Sequence, residues 1–285
     1  MANLKEIRNR IASVSSTMQI TSAMKMVSAA KLKKAQDAIT AMRPYSQKLT
    51  ELMQNLSASS QDSNLGAYAE NRTVKKALIV AITSNRGLCG AFNSNVIKQA
   101  RSLKADWQGI ETEIYAIGKR GADNLKKGNT LAGRQTTVFD DLNFENAAAI
   151  AQELMQLFAD GKYDKVVLVY NSFKNAANQI VQTEQFLPIL PLGKDNQSQA
   201  DYIFEPQKEE ILTALIPKSL KTQLYKALRD SFASEHGARM TAMHKATDNA
   251  KELKGELTIT YNKARQAAIT NEILEIVSGA EVLNG

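Results

Sequence analysis

The chain has 285 residues, 44% of them hydrophobic and 23% charged, with 14 Gly and 5 Pro, which is the composition of a globular protein with one large domain or two modest ones. No uninterrupted apolar stretch is long enough to span a bilayer, and the opening MANLKEIRNRIASV has no signal-peptide core, so a cytosolic chain is expected. One cysteine, Cys89, and two histidines, His236 and His244, exclude an internal disulfide framework and argue against a tetrahedral zinc centre. The net charge of +7 is confined to residues 1–50, where nine cations face Glu6 and Asp37, while the remainder holds 27 charges of each sign. Such a basic segment suits an acidic protein face, an anionic lipid or nucleic acid, or is a solvated helix face.

From Ala2 to Arg43 there is neither Gly nor Pro. Leu4, Ile7, Ile11, Val14 and Met18 step by 3, 4, 3 and 4, the a/d spacing of a coiled-coil seam. The apolar positions then shift phase to Ile20, Met24 and Val27 and resume as Tyr45, Leu49, Leu52 and Leu56, which predicts a broken coiled coil with Pro44 as a kink. Polar residues 57–71 predict a loop.

Between residues 74 and 205 the period changes. KALIVAIT (76–83), TEIYAI (112–117) and KVVLVY (165–170) are β-branched runs separated by helical stretches at 91–104 and 146–158, the β-α-β alternation of a mainly parallel, Rossmann-like sheet. QIVQTEQF (179–186) and DYIF (201–204) predict flanking strands, and 193–200 a loop. After Pro206 a helical pattern runs to the last residues, with Leu212, Leu215, Leu220, Leu224 and Leu228, then Leu253, Leu257, Tyr261, Ala264 and Ala268, then Ile269, Ile273, Ile276 and Ala280. Pro217, Gly237 and Gly255 are candidate breaks or kinks, with a helix restart at 217–219.

The expected architecture is therefore α/β with a long helical coiled coil, divided into an N-terminal helix (1–57), a central α/β domain (74–205) and a C-terminal helix (208–285). At 1.5 Å per residue the terminal helices would measure about 80 and 115 Å if straight. A domain of this size is only about 30 to 40 Å across. The helices must then overhang it, most simply as an antiparallel pair, and their uncovered surface needs solvent or a partner. The small residues and methionines of TSAMKMVSAA (21–30) and KARQAA (263–268) suit a slim rod, or close helix packing through alanine.

Catalytic signals are weak. The turn TSNRGLCGAFN (83–93) and the sequence GKRG (118–121) follow strands, where phosphates bind in many α/β proteins, but neither contains GKS or GKT nor fits GxGxxG. His236 and His244 are more than two helical turns apart, and Cys89 suits a core better than a nucleophile. Asp140-Asp141 and Glu209-Glu210 fit solvated charge. No catalytic, cofactor or metal site is expected.

Four segments together resemble the gamma subunit of the bacterial F-type ATP synthase: LKEIRNRIASV…MQITSAMKMVSAAKLKK (4–34), SNRGLCGAFN (84–93), SEHGARMTAMHKATD (234–248) and YNKARQAAITNEILEIVSGA (261–280). The resemblance implies a rotor shaft threading a ring of three alpha and three beta subunits, coupling proton or sodium flow through the membrane sector to ATP synthesis or hydrolysis catalysed by those other subunits. It places Met24 and Lys25 beside the acidic lever of beta, Arg265 and Gln266 at the beta catch loops, and Tyr202, Phe204 and Glu205 in a foot at the ring of c subunits. It implies an epsilon partner, peripheral attachment at the cytoplasmic face of the inner membrane, and no bound nucleic acid. With Cys89 alone, the dithiol switch of plastid relatives is excluded. The rival reading from the residues alone is a basic coiled coil that binds nucleic acid, against which Tyr45 stands as the only aromatic among the first 50 residues.

Overall fold

The computed structural model describes residues 4–58, 68, 72–128, 130–176, 178–189 and 208–284. The predicted loop at 193–200, the strand at 201–204, most of 57–71 and the foot residues Tyr202, Phe204 and Glu205 lie outside them. Each terminal pattern forms one helix: α1 spans Leu4–Ala58 and the last helix spans Lys208–Asn284, so Pro44, Pro217, Gly237 and Gly255 end neither. The restart expected at 217–219 does not occur. Side chains buried on either side of Pro217, Ile216 and Leu220, hold the helix through it, and such packing outweighs the local penalty of proline. Gly237 serves close approach: a Cβ there would sit 3.3 Å from Ala176 Cα and 3.4 Å from the Phe173 ring.

Between the long helices lie β1 (Lys76–Ile82), α2 (Phe92–Asp106), β2 (Glu111–Ile117), α3 (Lys119–Leu125), β3 (Leu131–Gln135), α4 (Phe144–Ala159), β4 (Lys165–Phe173) and β5 (Gln179–Leu187), with Lys208–Asn284 as α5. The five strands form one sheet in the order β3-β2-β1-β4-β5. All pairings are parallel except β4 with β5, which fits the mainly parallel sheet read from the sequence. β1 lies at the centre with six consecutive buried residues, as expected of a parallel strand covered on both faces.

Strand alternation divides the core into two layers. Leu78, Val80 and Ile82 point to one face with α4 and with Ile216, Leu220, Leu224, Ala227 and Leu228 of α5. Ile79 and Ala81 point to the other with Val96, Ile97 and Ala100 of α2 and Leu125 of α3. The leucine stripe at 220–228 is thus part of the sheet's own core. β3 was not foreseen. Its sequence LAGRQ has little strand propensity, and Gly133 is needed because any Cβ would strike the Tyr115 ring at 2.5 Å.

The chain divides into two compact units, residues 1–28 with 240–285, and residues 29–239. In the first, α1 and α5 run antiparallel: the Arg8 guanidinium donates to Tyr261 Oη (2.7 Å), Lys254 Nζ to Ser15 Oγ (3.2 Å) and Thr247 Oγ1 to Thr21 Oγ1 (2.8 Å).

The seam on α1 keeps its phase. Among the buried and half-buried positions, 4, 7, 11, 14, 18, 21, 25, 28, 32, 35 and 39 form an unbroken alternation of three and four, with 15, 22, 24, 29 and 38 flanking it. The shift to Ile20, Met24 and Val27 is therefore corrected: Ile20 is 59% and Val27 57% exposed, and the seam passes through Thr21, Lys25 and Ser28. Burying these two hydroxyls is tolerable because each donates within its own helix, Thr21 Oγ1 to Thr17 O (2.9 Å) and Ser28 Oγ to Met24 O (2.7 Å). Tyr45, expected on the resumed seam, is exposed, with the Lys218 ammonium 5.8 Å from its ring centroid. On α5 the seam is Met243, Thr247, Ala250, Lys254, Leu257, Tyr261 and Ala264; Leu253 and Ala268 lie off it.

Candidate partner-binding surfaces

Two surfaces of the coiled-coil unit present apolar side chains that the fold does not use. On α1, Ile20, Met26 and Val27 are each more than half exposed, beside the half-buried Met24 and Lys25. A heptad helix puts its apolar residues on the seam, so apolar residues opposite the seam mark a second packing face. Lys25 therefore sits on the seam, and Met24 lies between the seam and that face.

The second surface is the end of α5. Arg8 meets Tyr261, so the start of α1 at Leu4 lies level with about Arg265, one helical turn further on. Residues 265–284, about 30 Å of helix, run on without a partner from α1. All those whose side chains are described are exposed, including Ile269, Ile273, Leu274, Ile276 and Val277. Arg265 and Gln266 sit at the base of this single helix. The expected seam of Ile269, Ile273 and Ile276 is therefore an outward apolar stripe among the described residues, because it lies beyond the level of Leu4, where α1 starts.

The carboxyl edge of the sheet tests whether the α/β unit holds a ligand. In open α/β sheets ligands bind where strand order reverses, here between β1 and β4. Most polar groups of this edge are taken up internally, although Asn171 Oδ1 on β4 is buried without a hydrogen-bond partner. Of the first amides of α3, Lys119 N donates to Asn85 Oδ1 (3.0 Å), Arg120 N to Ser84 O (3.1 Å) and Gly121 N to Thr83 Oγ1 (2.9 Å). Those are the donors a phosphate would need, so GKRG is a structural turn. On the β4 side, Ser234 Oγ of α5 donates to Asn171 O (3.0 Å), and Asn171 Nδ2 to Phe92 O (3.1 Å). The Arg239 guanidinium donates to Arg86 O and Gly87 O, each at 3.2 Å, and pairs with Glu235 at 2.6 Å. Helix α5 fills the crevice.

Cys89 is buried with Phe92 and Ala238 and accepts from Asn93 Nδ2 (3.2 Å); burial raises its pKa, which disfavours the thiolate a nucleophile needs. Leu88 beside it is 66% exposed and takes φ 61, an unusual conformation for a leucine. Among the described residues no cluster of three or more His, Cys, Asp or Glu could hold a metal ion.

Sequence reasoning missed the buried group around Glu235 and Arg239, whose four-residue spacing resembles an ordinary surface ion pair. Next to it, His236 is 5% exposed, edge-on to Phe232 with ring centroids 4.5 Å apart, and neither ring nitrogen has a hydrogen-bond partner. Burial, then the Arg239 and Lys31 cations, lower its pKa to about 4. The unfolded chain, near 6.5, binds this proton more readily, so His236 weakens the fold as pH falls from about 6.5 to 4 and is neutral to it above. The shift amounts to about 3 kcal/mol. We expect His236→Phe to flatten the acid limb of a stability-pH curve measured by urea unfolding between pH 4 and 7; a variant as acid-labile as the parent would refute this assignment.

The ATP synthase family model matches residues 3–283. Over the full length of both chains the sequence is 69% identical to the ATP synthase gamma chain of Flavobacterium johnsoniae and 53% identical to that of Cytophaga hutchinsonii. Among solved structures it is similar to a chain of the central stalk and c-ring of Tetrahymena thermophila mitochondrial ATP synthase (29% identity, TM-score 0.62, covering 80% of this chain and 99% of that one). It shares its fold with a chain of the Euglena gracilis mitochondrial ATP synthase rotor (21% identity, TM-score 0.67, covering 93% and 98%). The full-length family match and the high identity to curated gamma chains show that the chain belongs to the gamma-subunit family of ATP synthases.

Proposed function

We propose that the chain is the central rotor shaft of a bacterial F-type ATP synthase, coupling proton or sodium flow through a c-subunit ring to ATP synthesis and hydrolysis in a ring of three alpha and three beta subunits, with an epsilon subunit as a further partner. The observation that carries this is the end of α5, about 30 Å of helix with an exposed apolar stripe that no described residue of the chain covers. Apolar side chains in that setting suit a bearing made by other subunits. In functional terms we assign 1–57 and 208–285 to the shaft and 74–205 to the body.

The chain is a component of an enzyme complex, and we infer that it has no catalytic site of its own: α5 bonds across the sheet's ligand crevice, and His236 is buried against Phe232 with no polar partner. No described helix is long and apolar enough to cross a membrane, which suits peripheral attachment through the complex at the cytoplasmic face of the inner membrane. The nucleic-acid alternative finds no support, because the basic α1 falls within the same family match as the rest of the chain.

Rotation follows from asymmetry. A shaft with different faces toward three beta subunits stabilises a different conformation in each, and turning it exchanges those states. In this reading Met24 and Lys25 face the beta levers, Arg265 and Gln266 the catch loops, and Tyr202, Phe204 and Glu205 the c-ring. Exposed ion pairs contribute about 0 to 1 kcal/mol each, so charge tunes alignment while shape carries force. Met24→Lys, adding a cation beside Lys25, is expected to lower ATP-driven pumping per ATP hydrolysed while changing assembly affinity less than about fivefold. An unchanged pumping ratio would count against the assigned contact. The reading as a whole is tested by co-expression with alpha and beta subunits: a complex of three alpha, three beta and one of this chain, with ATPase activity that the chain alone lacks, is expected. Turnover by the isolated chain, or steeply salt-dependent binding to DNA in place of assembly, would overturn it.

A further inference from the structure

Along the part of α5 that lies in the α/β unit, four side chains make polar bonds to four different parts of the body. Gln223 Nε2 donates to Glu184 Oε1 (2.7 Å) and Gln185 O (3.1 Å) on β5. The Arg229 guanidinium donates to Leu142 O (2.6 Å) ahead of α4. Ser234 Oγ donates to Asn171 O on β4, and Arg239 to Arg86 O and Gly87 O after β1. Every one of the four reaches a main-chain carbonyl. A carbonyl is fixed by its strand or turn and cannot swing aside as a side chain can.

Apolar packing holds this helix against the sheet and opposes large rotations, but the hydrophobic effect has no direction, so small twists are opposed less sharply than by bonds to fixed carbonyls. The polar bonds supply direction. At about 100° per residue, Gln223 and Ser234 fall on one flank of the stripe made by Leu220, Leu224, Ala227 and Leu228, Arg239 falls on the other flank, and Arg229 beyond it. Turning the helix either way about its axis lengthens bonds on one flank. Two of the anchors are costly to break: Ser234 is fully buried, and Arg239 is buried with its counter-ion Glu235. Because α5 continues as one helix past Arg239, twist resisted here passes along its axis.

We propose that Gln223, Arg229, Ser234 and Arg239 form a key that locks α5 against rotation within the α/β body, so that torque entering the body leaves through the helix without slip. These are positioning residues, and the proposal rests on the rotor-shaft reading. The key matters under load. When rotation is unopposed, packing alone keeps helix and body in step; against an opposing ion gradient the helix turns in its seat once the bonds are gone.

The experiment uses the whole ATP synthase in sealed vesicles. Gln223→Leu with Ser234→Ala removes three bonds without leaving a buried charge. Arg239→Gln with Glu235→Gln removes the remaining flank and neutralises both ions together, which avoids a lone buried charge. For either double variant, ATP hydrolysis in uncoupled vesicles is expected to match the parent within about twofold, while hydrolysis without pumping against a pre-imposed gradient rises about tenfold, the change that 1.4 kcal/mol off a barrier produces. Single-molecule rotation, with the probe on the α/β body, should show a softer torsional spring. Parent-like slip in correctly assembled variants would overturn the key, as would an equal loss of loaded and unloaded turnover, the mark of a merely structural role. Failure of the rotor reading is distinguishable, because the parent complex would then show no coupling that depends on this chain.

Discussion

Gly118→Ala is expected to destabilise the purified chain by at least about 3 kcal/mol, through a backbone clash added to strain. Gly118 has φ 99 and ψ 140, close to a region that only glycine enters freely. A Cβ there would sit 2.2 Å from Thr83 O and 2.6 Å from its carbonyl carbon, closer than any real contact. Neither partner can retreat. Thr83 N is held by Ile117 O (2.8 Å), Gly118 N donates to Gln135 O (2.7 Å), and Thr83 Oγ1 accepts from Gly121 N. Gly128→Ala is the control: it has φ 82 with nothing within 4 Å of the added Cβ, so it measures strain alone, about 1 to 2 kcal/mol. Urea unfolding of the two variants compares them, and equal losses would remove the clash argument.

The second large effect is expected at the buried ion pair. Arg239→Ala should cost about 3 to 5 kcal/mol, since it strands Glu235 as an unpaired buried carboxylate and leaves Arg86 O and Gly87 O without their donor. Burial already raises the Glu235 pKa in the intact protein, with Arg239 the largest opposing influence. Without the arginine that pKa rises further. A carboxylate with a folded pKa above its unfolded one supports the fold at low pH and loses that support as pH climbs, so the variant should recover relative to the parent in mildly acidic buffer. Adding Glu235→Gln should restore part of the loss at neutral pH. A double variant no better than Arg239→Ala would show that the carbonyl bonds, and not the stranded charge, carry the energy.

The fold was legible where local pattern and tertiary demand agree. β1, β2 and β4 are β-branched runs because both faces of a parallel strand are buried, and such a run looks the same in sequence and in structure. β3 and α3 failed that test. LAGRQ is a strand only because β2 offers it a free edge, and KRGADNL is too short to show a helical period. On α1 the apolar residues gave the wrong phase after Met18: hydropathy counts Ile20 and Val27 as core and Thr21 and Ser28 as surface, yet hydroxyls bonded to their own helix bury at little cost.

The candidate surfaces were half visible. Met24, Lys25, Arg265 and Gln266 entered through resemblance, and the residues beside them explain the choice: Ile20, Met26 and Val27 are apolar on the wrong side of a heptad, and α5 outruns the helix it pairs with. The second fact follows from register, which no single segment contains.

Periodicity and composition by themselves settled that this chain has two long terminal helices with a mainly parallel sheet between them, because helix and strand periods are properties of neighbouring residues. Only the assembled fold decided that α5 is also a core helix of the α/β body, pinned by Gln223, Arg229, Ser234 and Arg239 to carbonyls between 38 and 153 residues away in sequence. Such bonds join side chains with no distinctive local pattern to main-chain groups that every residue has, so they exist as information only once the chain has closed on itself.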